Sequence, residues 1–184
     1  MSSAGPAEYL SVLDAIDPPI DRSILDRDDL LIGRDGKLSV FYAPFDAINT
    51  EAKVVLLGLT PGWQQMEIAI NAYCSARGAG RSDKRSQEAA KDLASFAGMR
   101  KRIATWLDLI GLQHRLGLDS AAQLFEAHSL LHTTSLIRYP TFVGDEHANY
   151  GGHSPKPEAS TLLRQLISDV LSPELASVQN AMIV

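Results

Sequence analysis

Apolar residues recur at helical spacing from Ala7 to Ile16 (Tyr9, Leu10, Leu13, Ile16) and stop at Asp17-Pro18-Pro19, where consecutive prolines cannot continue a helix. Two short runs, Leu30-Leu31-Ile32 and Leu38-Ser39-Val40-Phe41-Tyr42, flank Gly33-Arg34-Asp35-Gly36 and predict a β-hairpin that Pro44 terminates. Lys53 to Leu57 is a short, almost wholly apolar run, the pattern of a central parallel strand covered on both faces, and it breaks at Gly58 and Pro61-Gly62. Helical patterns follow over Gln64–Ser75, Lys84–Phe96 and Arg100–Leu109, then over Ser120–Ala127 behind an Asp119 cap. Gly78-Ala79-Gly80 reads as a mobile loop between the first two.

Leu130 to Ile137 predicts a second internal strand, and Thr141 to Pro157, rich in Gly, His, Asn and Pro, a long irregular loop. Glu158–Leu171 is an amphipathic helix expected to end near Ser172-Pro173, and Ala181 to Val184 starts another buried strand. Strands alternating with helices imply right-handed parallel crossovers. The expected fold is α/β: a single domain over residues 1–184, a three-layer α/β/α sandwich with a short, mostly parallel central sheet plus the N-terminal hairpin. Ligands in such sheets bind beyond the C-terminal strand ends. The loops after Leu57 and after Ile137 should therefore be neighbours and form the site.

Composition narrows the class. No apolar run approaches membrane-spanning length, and Met1 to Pro6 has neither a basic nor an apolar signal-peptide region, so we expect a cytoplasmic protein with no membrane partner. Cys74 is the single cysteine, which excludes an intramolecular disulfide and cysteine-based metal clusters. His128 and His132 lack a third ligand, so neither metal nor another cofactor is expected. The net charge is −5, yet the segment from Ser75 to Arg102 holds eight basic and three acidic residues, +5, leaving −10 for the remainder. A local basic patch can engage phosphates, because such contacts act within about 8–10 Å; a solvated helical face gives the same pattern.

Candidate chemistry centres on Gly58-Leu59-Thr60-Pro61-Gly62-Trp63-Gln64-Gln65. Gly58 permits a sharp turn off the strand, and Gly62 permits close approach of a ligand to the following helix N-terminus. Trp63 offers a stacking face, and Gln64 and Gln65 offer paired donors and acceptors. A plain strand–turn–helix connection with a packed Trp63 is the competing account. His153-Ser154-Pro155 reads as loop chemistry, and Cys74 as a core residue.

Lys53 to Gly62 resembles the first active-site motif of the uracil-DNA glycosylase superfamily, a strand running into Gly-x-x-Pro-Gly. Thr134-Ser135-Leu136-Ile137-Arg138-Tyr139-Pro140 is similar to that family's base-reading strand end, and Tyr73 stands where the family places an aromatic that stacks on the extruded base. The resemblance implies hydrolysis of an N-glycosidic bond in single- or double-stranded DNA. Thr60 would hold the water; Gly58, Leu59, Pro61, Gly62, Trp63, Gln64, Tyr73 and Ser135 would bind the base; Arg77, Arg81, Lys84 and Arg85 would meet phosphates. It also implies a further strand and a His-Pro-Ser-like motif after the element at Ala181 to Val184. Thr60 stands where active members often carry a carboxylate or amide, and Ser135 where they carry a base-reading Asn. A catalytically silent module that binds nucleic acid or nucleobase therefore stands beside the glycosylase reading, and so does an unrelated α/β hydrolase or nucleotide-binding protein.

Overall fold

A computed structural model describes residues 6–126 and 129–184. The chain is a mixed α/β fold containing a small parallel sheet and helices. Helix α1 (Pro6–Asp14) leads through two short 3-10 turns into strands β1 (Leu31–Asp35) and β2 (Leu38–Phe41), which pair antiparallel as the hairpin pattern predicts. β2 then pairs with β5 (Thr141–Val143), and β5 with β6 (Ala148–Asn149), giving a four-stranded antiparallel sheet in the order β1-β2-β5-β6. The segment expected to be one irregular loop from Thr141 thus opens with two strands. Three- and two-residue strands carry too little alternation to announce themselves.

The parallel sheet is separate. β3 (Val54–Gly58) lies at its centre, with β4 (Leu131–Ser135) on one side and β7 (Met182–Ile183) on the other, both parallel to it. Central placement explains the apolar run, because both faces of β3 are covered. Val54 and Leu56 pack with Ala104, Leu107 and Leu124, while Val55 packs with Ala52 and Val178. β4 was expected to be internal; among the described residues it pairs with β3 alone, which suits its half-polar sequence. β7 pairs as expected, but its side chains are exposed rather than buried, Ile183 at 54%.

The helices follow the apolar periodicity closely. α2 (Trp63–Gly78) and α3 (Asp83–Ala94) pack against each other, and α4 (Arg100–Leu109) covers one face of the parallel sheet, followed by the single turn α5 (Leu112–Leu116). The helix expected from Ser120 is a 3-10 turn over Ala121–Phe125, and its cap is Ser120 rather than Asp119: Ser120 Oγ accepts from Ala122 N–H. Asp108 anchors the same turn by accepting from Ala121 N–H at 2.6 Å. Residue Ala127, at the end of that expected helix, and His128 lie outside the described residues.

The last helical region departs from expectation at Pro173. α6 (Thr161–Leu166) passes through one π turn at Ile167–Leu171 into α7 (Ser172–Ala176), so the helix crosses the proline instead of stopping there. A proline cannot donate to the carbonyl one turn back, and the wider π turn relieves that mismatch. Arg138 Nη2 donates to the Val170 carbonyl within the same turn. The detour places Glu174 in the interior.

Because α4 buries Leu107 and exposes Leu109, substitutions at the two should differ sharply. Leu107→Ala is expected to cost about 2–5 kcal/mol through cavity formation, and Leu109→Ala to stay within about 0.5 kcal/mol. Urea denaturation of the two variants checks the orientation.

Candidate functional site

Parallel register sets Gly58 opposite Ser135 at the ends of β3 and β4. The pairing continues past both strands, since Leu136 N–H donates to the Gly58 carbonyl and Ile137 N–H to the Leu59 carbonyl. The two expected loops therefore run side by side. Thr60 Oγ1 donates to the Tyr139 carbonyl at 2.9 Å and lies 3.2 Å from Thr141 Oγ1. Gly58, Leu59, Thr60, Pro61 and Ser135 line one cavity of about 60 Å³, room for a few ordered waters.

Aromatic and cationic side chains complete this cavity. Phe45 and Phe96 line it, as do Lys91 and Arg138. Phe96 adopts φ = 53°, a left-handed conformation that a bulky residue rarely takes. Its ring presses on the backbone at Gly58, where any Cβ would lie 3.4 Å from the ring and 3.2 Å from Ser135 Oγ. The strand end, the phenyl ring and the serine share one small volume, so a side chain at residue 58 would fit only if Ser135 gave way by a few tenths of an ångström.

Other candidates fall elsewhere. A Cβ on Gly62 would meet the Asn149 amide at 2.9 Å, so the close approach there is made by Asn149 and not by a ligand. Asn149 Oδ1 accepts from Trp63 N–H at 2.9 Å, and Gln65 Oε1 from Gly62 N–H at 3.1 Å, so this helix N-terminus caps itself. Trp63 is half-buried outside the cavity with the Arg22 guanidinium 5.4 Å from its ring centre, and Gln64 is exposed. Gln65, the neighbour of Gln64, is the glutamine that lines the cavity.

Tyr73 requires correction. Its ring is fully buried in the main core and its hydroxyl donates to Asp14 at 3.3 Å, so it presents no face to a base. Helical periodicity explains this, because Tyr73 shares its side of α2 with Met66, Ala69 and Ile70. Cys74 is buried beside it, as expected.

The four expected phosphate contacts also lie away from the cavity. Arg77 is fourteen residues along α2 from Trp63, about 21 Å at 1.5 Å per residue. It pairs with Asp14 and Asp83. Arg85 pairs with Glu88, while Arg81 and Lys84 are exposed near the same far end of the α2–α3 pair. Within the basic segment, Arg100 instead donates to the carbonyls of Asp92, Leu93 and Ser95, capping the end of α3, and Lys91 is buried. His153 is exposed on a loop whose Gly152 approaches Leu59, at the rim and outside the cavity lining.

Behind the cavity lies a buried polar network that no spacing rule in the sequence points to. Glu174 is fully buried. Its Oε1 meets His132 Nε2 at 2.9 Å and Lys91 Nζ at 3.5 Å. Its Oε2 accepts from Thr134 Oγ1 at 2.9 Å and from Arg138 Nε and Nη2 at 2.9 and 2.7 Å. Asp46 extends the network, accepting from the Tyr42 and Tyr139 hydroxyls, each at 2.7 Å. Burial alone would raise the Glu174 pKa, but His132, Lys91 and Arg138 together hold it down to about 2. Burial lowers His132, and Asn49 N–H approaches its Nδ1 at 3.4 Å, which assigns the ring proton to Nε2 facing Glu174. That ring is engaged with a carboxylate and a backbone amide, and among the described residues no group of three metal-ligating side chains is assembled.

Apart from Tyr42 and Asp46, four residues apart, the bonded side-chain pairs of this network stand 36 to 93 residues apart along the chain, as the Arg138–Glu174 and Asp46–Tyr139 pairs illustrate. A lone glutamate after a proline, and a lysine in a charged helix, carry no signature before folding. The one usable hint was His132, a polar residue in the middle of a strand.

Removing the Glu174 charge should be costly and should change the response to acid. Glu174→Ala is expected to lose about 3–5 kcal/mol, the usual cost of stripping one partner from a buried ionic cluster. Because the folded carboxylate titrates at about 2, below the ordinary 4.5, its contribution is full above the ordinary value and is lost as pH falls towards 2. His132 acts in the same direction, since its buried ring resists the proton that an unfolded histidine takes up below about 6.5. Lys91, lowered to about 8, changes stability only at alkaline pH. Thermal melts from neutral to acid pH should therefore fall steeply for the wild type and less steeply for Glu174→Gln; equal slopes would contradict the assignment.

The chain is similar to the Uncharacterized protein YoxB of Bacillus subtilis (strain 168), with 33% identity over 159 residues, 85% of this chain. It spans 61% of that relative's length. No family model matches the chain, and no solved structure matches it significantly.

Proposed function

We propose that this protein is a DNA-base N-glycosylase-like enzyme of the uracil-DNA glycosylase type, on a three-layer helix–sheet–helix arrangement and acting in the cytoplasm. The reading rests above all on the parallel pairing of Gly58 with Ser135, which puts Thr60 and Ser135 on one cavity at the strand ends. The stacking role passes from Tyr73 to Phe45 or Phe96, which line that cavity. Stacking on an aromatic ring returns roughly 1–3 kcal/mol per base, enough to offset much of the few kcal/mol that flipping costs. Opening the cavity to a base requires Phe96 to move, and its unfavourable φ lowers the cost of leaving its present place.

In this reading a water rests against Thr60. The hydroxyl gives its one proton to the Tyr139 carbonyl, so towards water it acts as an acceptor that orients and does not deprotonate. Ser135 touches the base edge with one hydroxyl, which discriminates less than a bidentate amide. The expected enzyme is slow and broad in base choice. DNA phosphates would be met near Met99, which lines the cavity, by the exposed Lys101 and Arg102 that follow it.

The same Thr60 bond favours a second reading, a silent module that binds nucleic acid or free nucleobase without cleavage. Incubation of end-labelled uracil-containing single- and double-stranded DNA separates the two. For the enzyme, abasic sites form, Thr60→Ala slows their formation about 10²-fold through loss of positioning, and Tyr73→Phe changes nothing. Salt-sensitive binding without abasic sites identifies the silent module. Absence of both would refute the nucleic-acid reading.

A further inference from the structure

The buried network is polarised across the molecule. Lys91 and Arg138 are the charged residues that line the cavity beside Thr60 and Ser135, and among the described residues no carboxylate lines it. The carboxylates Asp46 and Glu174 sit behind them and line, together with the other side of Arg138, a different depression of about 440 Å³, on the side of α1 and the π turn. Within the network two cations balance two anions, yet of these four residues it is the two cations that line the cavity. Arg138 gives Nε and Nη2 to Glu174, Nη1 to Asp46 and its second Nη2 hydrogen to the Val170 carbonyl, four of its five N–H donors, which holds the guanidinium against the carboxylates. Lys91 Nζ donates to the Ala47 carbonyl at 2.6 Å and lies 3.5 Å from Glu174 Oε1. The longer of those contacts is the one that can yield a donor to a ligand.

We propose that this cavity is an anion site for a planar heterocycle, and that Lys91 supplies the charge that stabilises a base as it departs. The reaction part of this inference rests on the glycosylase reading; the anion site does not. In the reaction the C1′–N bond breaks and its electron pair leaves with the base, which becomes an anion against Lys91. The oxygen of water bonds to C1′ and its proton passes to solvent, and the released base is reprotonated from solvent. Lys91 remains protonated throughout. A buried ammonium without a neighbouring hydration shell stabilises developing negative charge more strongly than an exposed one. Burial also pulls Lys91 down to about 8, against the opposing pull of Glu174, so it is cationic at neutral pH. The groups that face it are Glu174 from α7, Arg138 and His132 from the β4 region, and Asp46 from the segment after β2.

The test uses the full chain, Lys91→Gln and two kinds of probe. In equilibrium binding, free 5-nitrouracil, an anion at neutral pH, should bind the wild type more tightly than uracil, and Lys91→Gln should abolish the preference. In single-turnover excision from single-stranded DNA, Lys91→Gln should slow removal of uracil by about 10²–10³-fold. It should slow removal of 5-fluorouracil, a better leaving group, by markedly less. Should the variant fail to fold, the wild type decides by pH: an affinity for 5-nitrouracil, anionic throughout, that falls as pH rises through about 8 supports Lys91. An affinity unchanged to about pH 10, where an ordinary lysine begins to titrate, assigns the charge to Arg138 and overturns the inference, as does a folded Lys91→Gln with wild-type selectivity. Wild-type protein that prefers the anion but makes no abasic sites retains the anion site and refutes the glycosylase reading alone.

Discussion

A carboxylate withdrawn from water stays ionised only where its surroundings replace the lost hydration, and Glu174 is arranged in that way. His132, Thr134, Arg138 and Lys91 all point at its two oxygens, and they come from β4, the segment after it, and α3. The glutamate thus ties the end of the parallel sheet to two helices. Cores of apolar side chains tolerate small sliding, whereas a hydrogen-bonded charge cluster admits one register. Asp46 extends the same restraint to the antiparallel sheet through the hydroxyls of Tyr42 and Tyr139.

The strand ends beyond this cluster are held with little slack. Thr60 and Thr141 share the carbonyl of Tyr139, and Phe96 is kept in a left-handed conformation against Gly58. Strain of this kind persists only where neighbouring packing over-determines it, and Phe96 is embedded in the cluster formed by β3, α4 and the 3-10 turn. The cavity is therefore small because it is filled from the side by a ring. Its size follows from the position of one side chain, while its polarity follows from the network behind it.

Charge in this protein is sorted by depth as well as by sequence. The basic segment from Ser75 to Arg102 looks uniform along the chain, yet its members have four different occupations: Arg77 joins α2 to α1 and α3, Arg100 caps α3, Lys91 enters the interior, and Arg81, Lys84, Arg85, Lys101 and Arg102 face solvent, Arg85 beside Glu88. A local count of charge could not distinguish them.

Periodicity alone determined where α2, α3 and α4 lie, the β1–β2 hairpin, and the centrality of β3, because those segments repeat one spacing long enough to read. The apolar run before Gly58 also located the cavity, since parallel strands end on one side of their sheet. Tertiary structure decided what the spacing could not carry: that β5 and β6 join the hairpin, that the helix crosses Pro173, and that Tyr73 is core while Phe45 and Phe96 face the cavity. It decided too that Asn149 fills the space at Gly62. Above all it brought Asp46, Lys91, His132, Arg138 and Glu174 together. Those contacts span dozens of residues, and a burial-dependent ionic network acquires its energy only after the surrounding chain has excluded water.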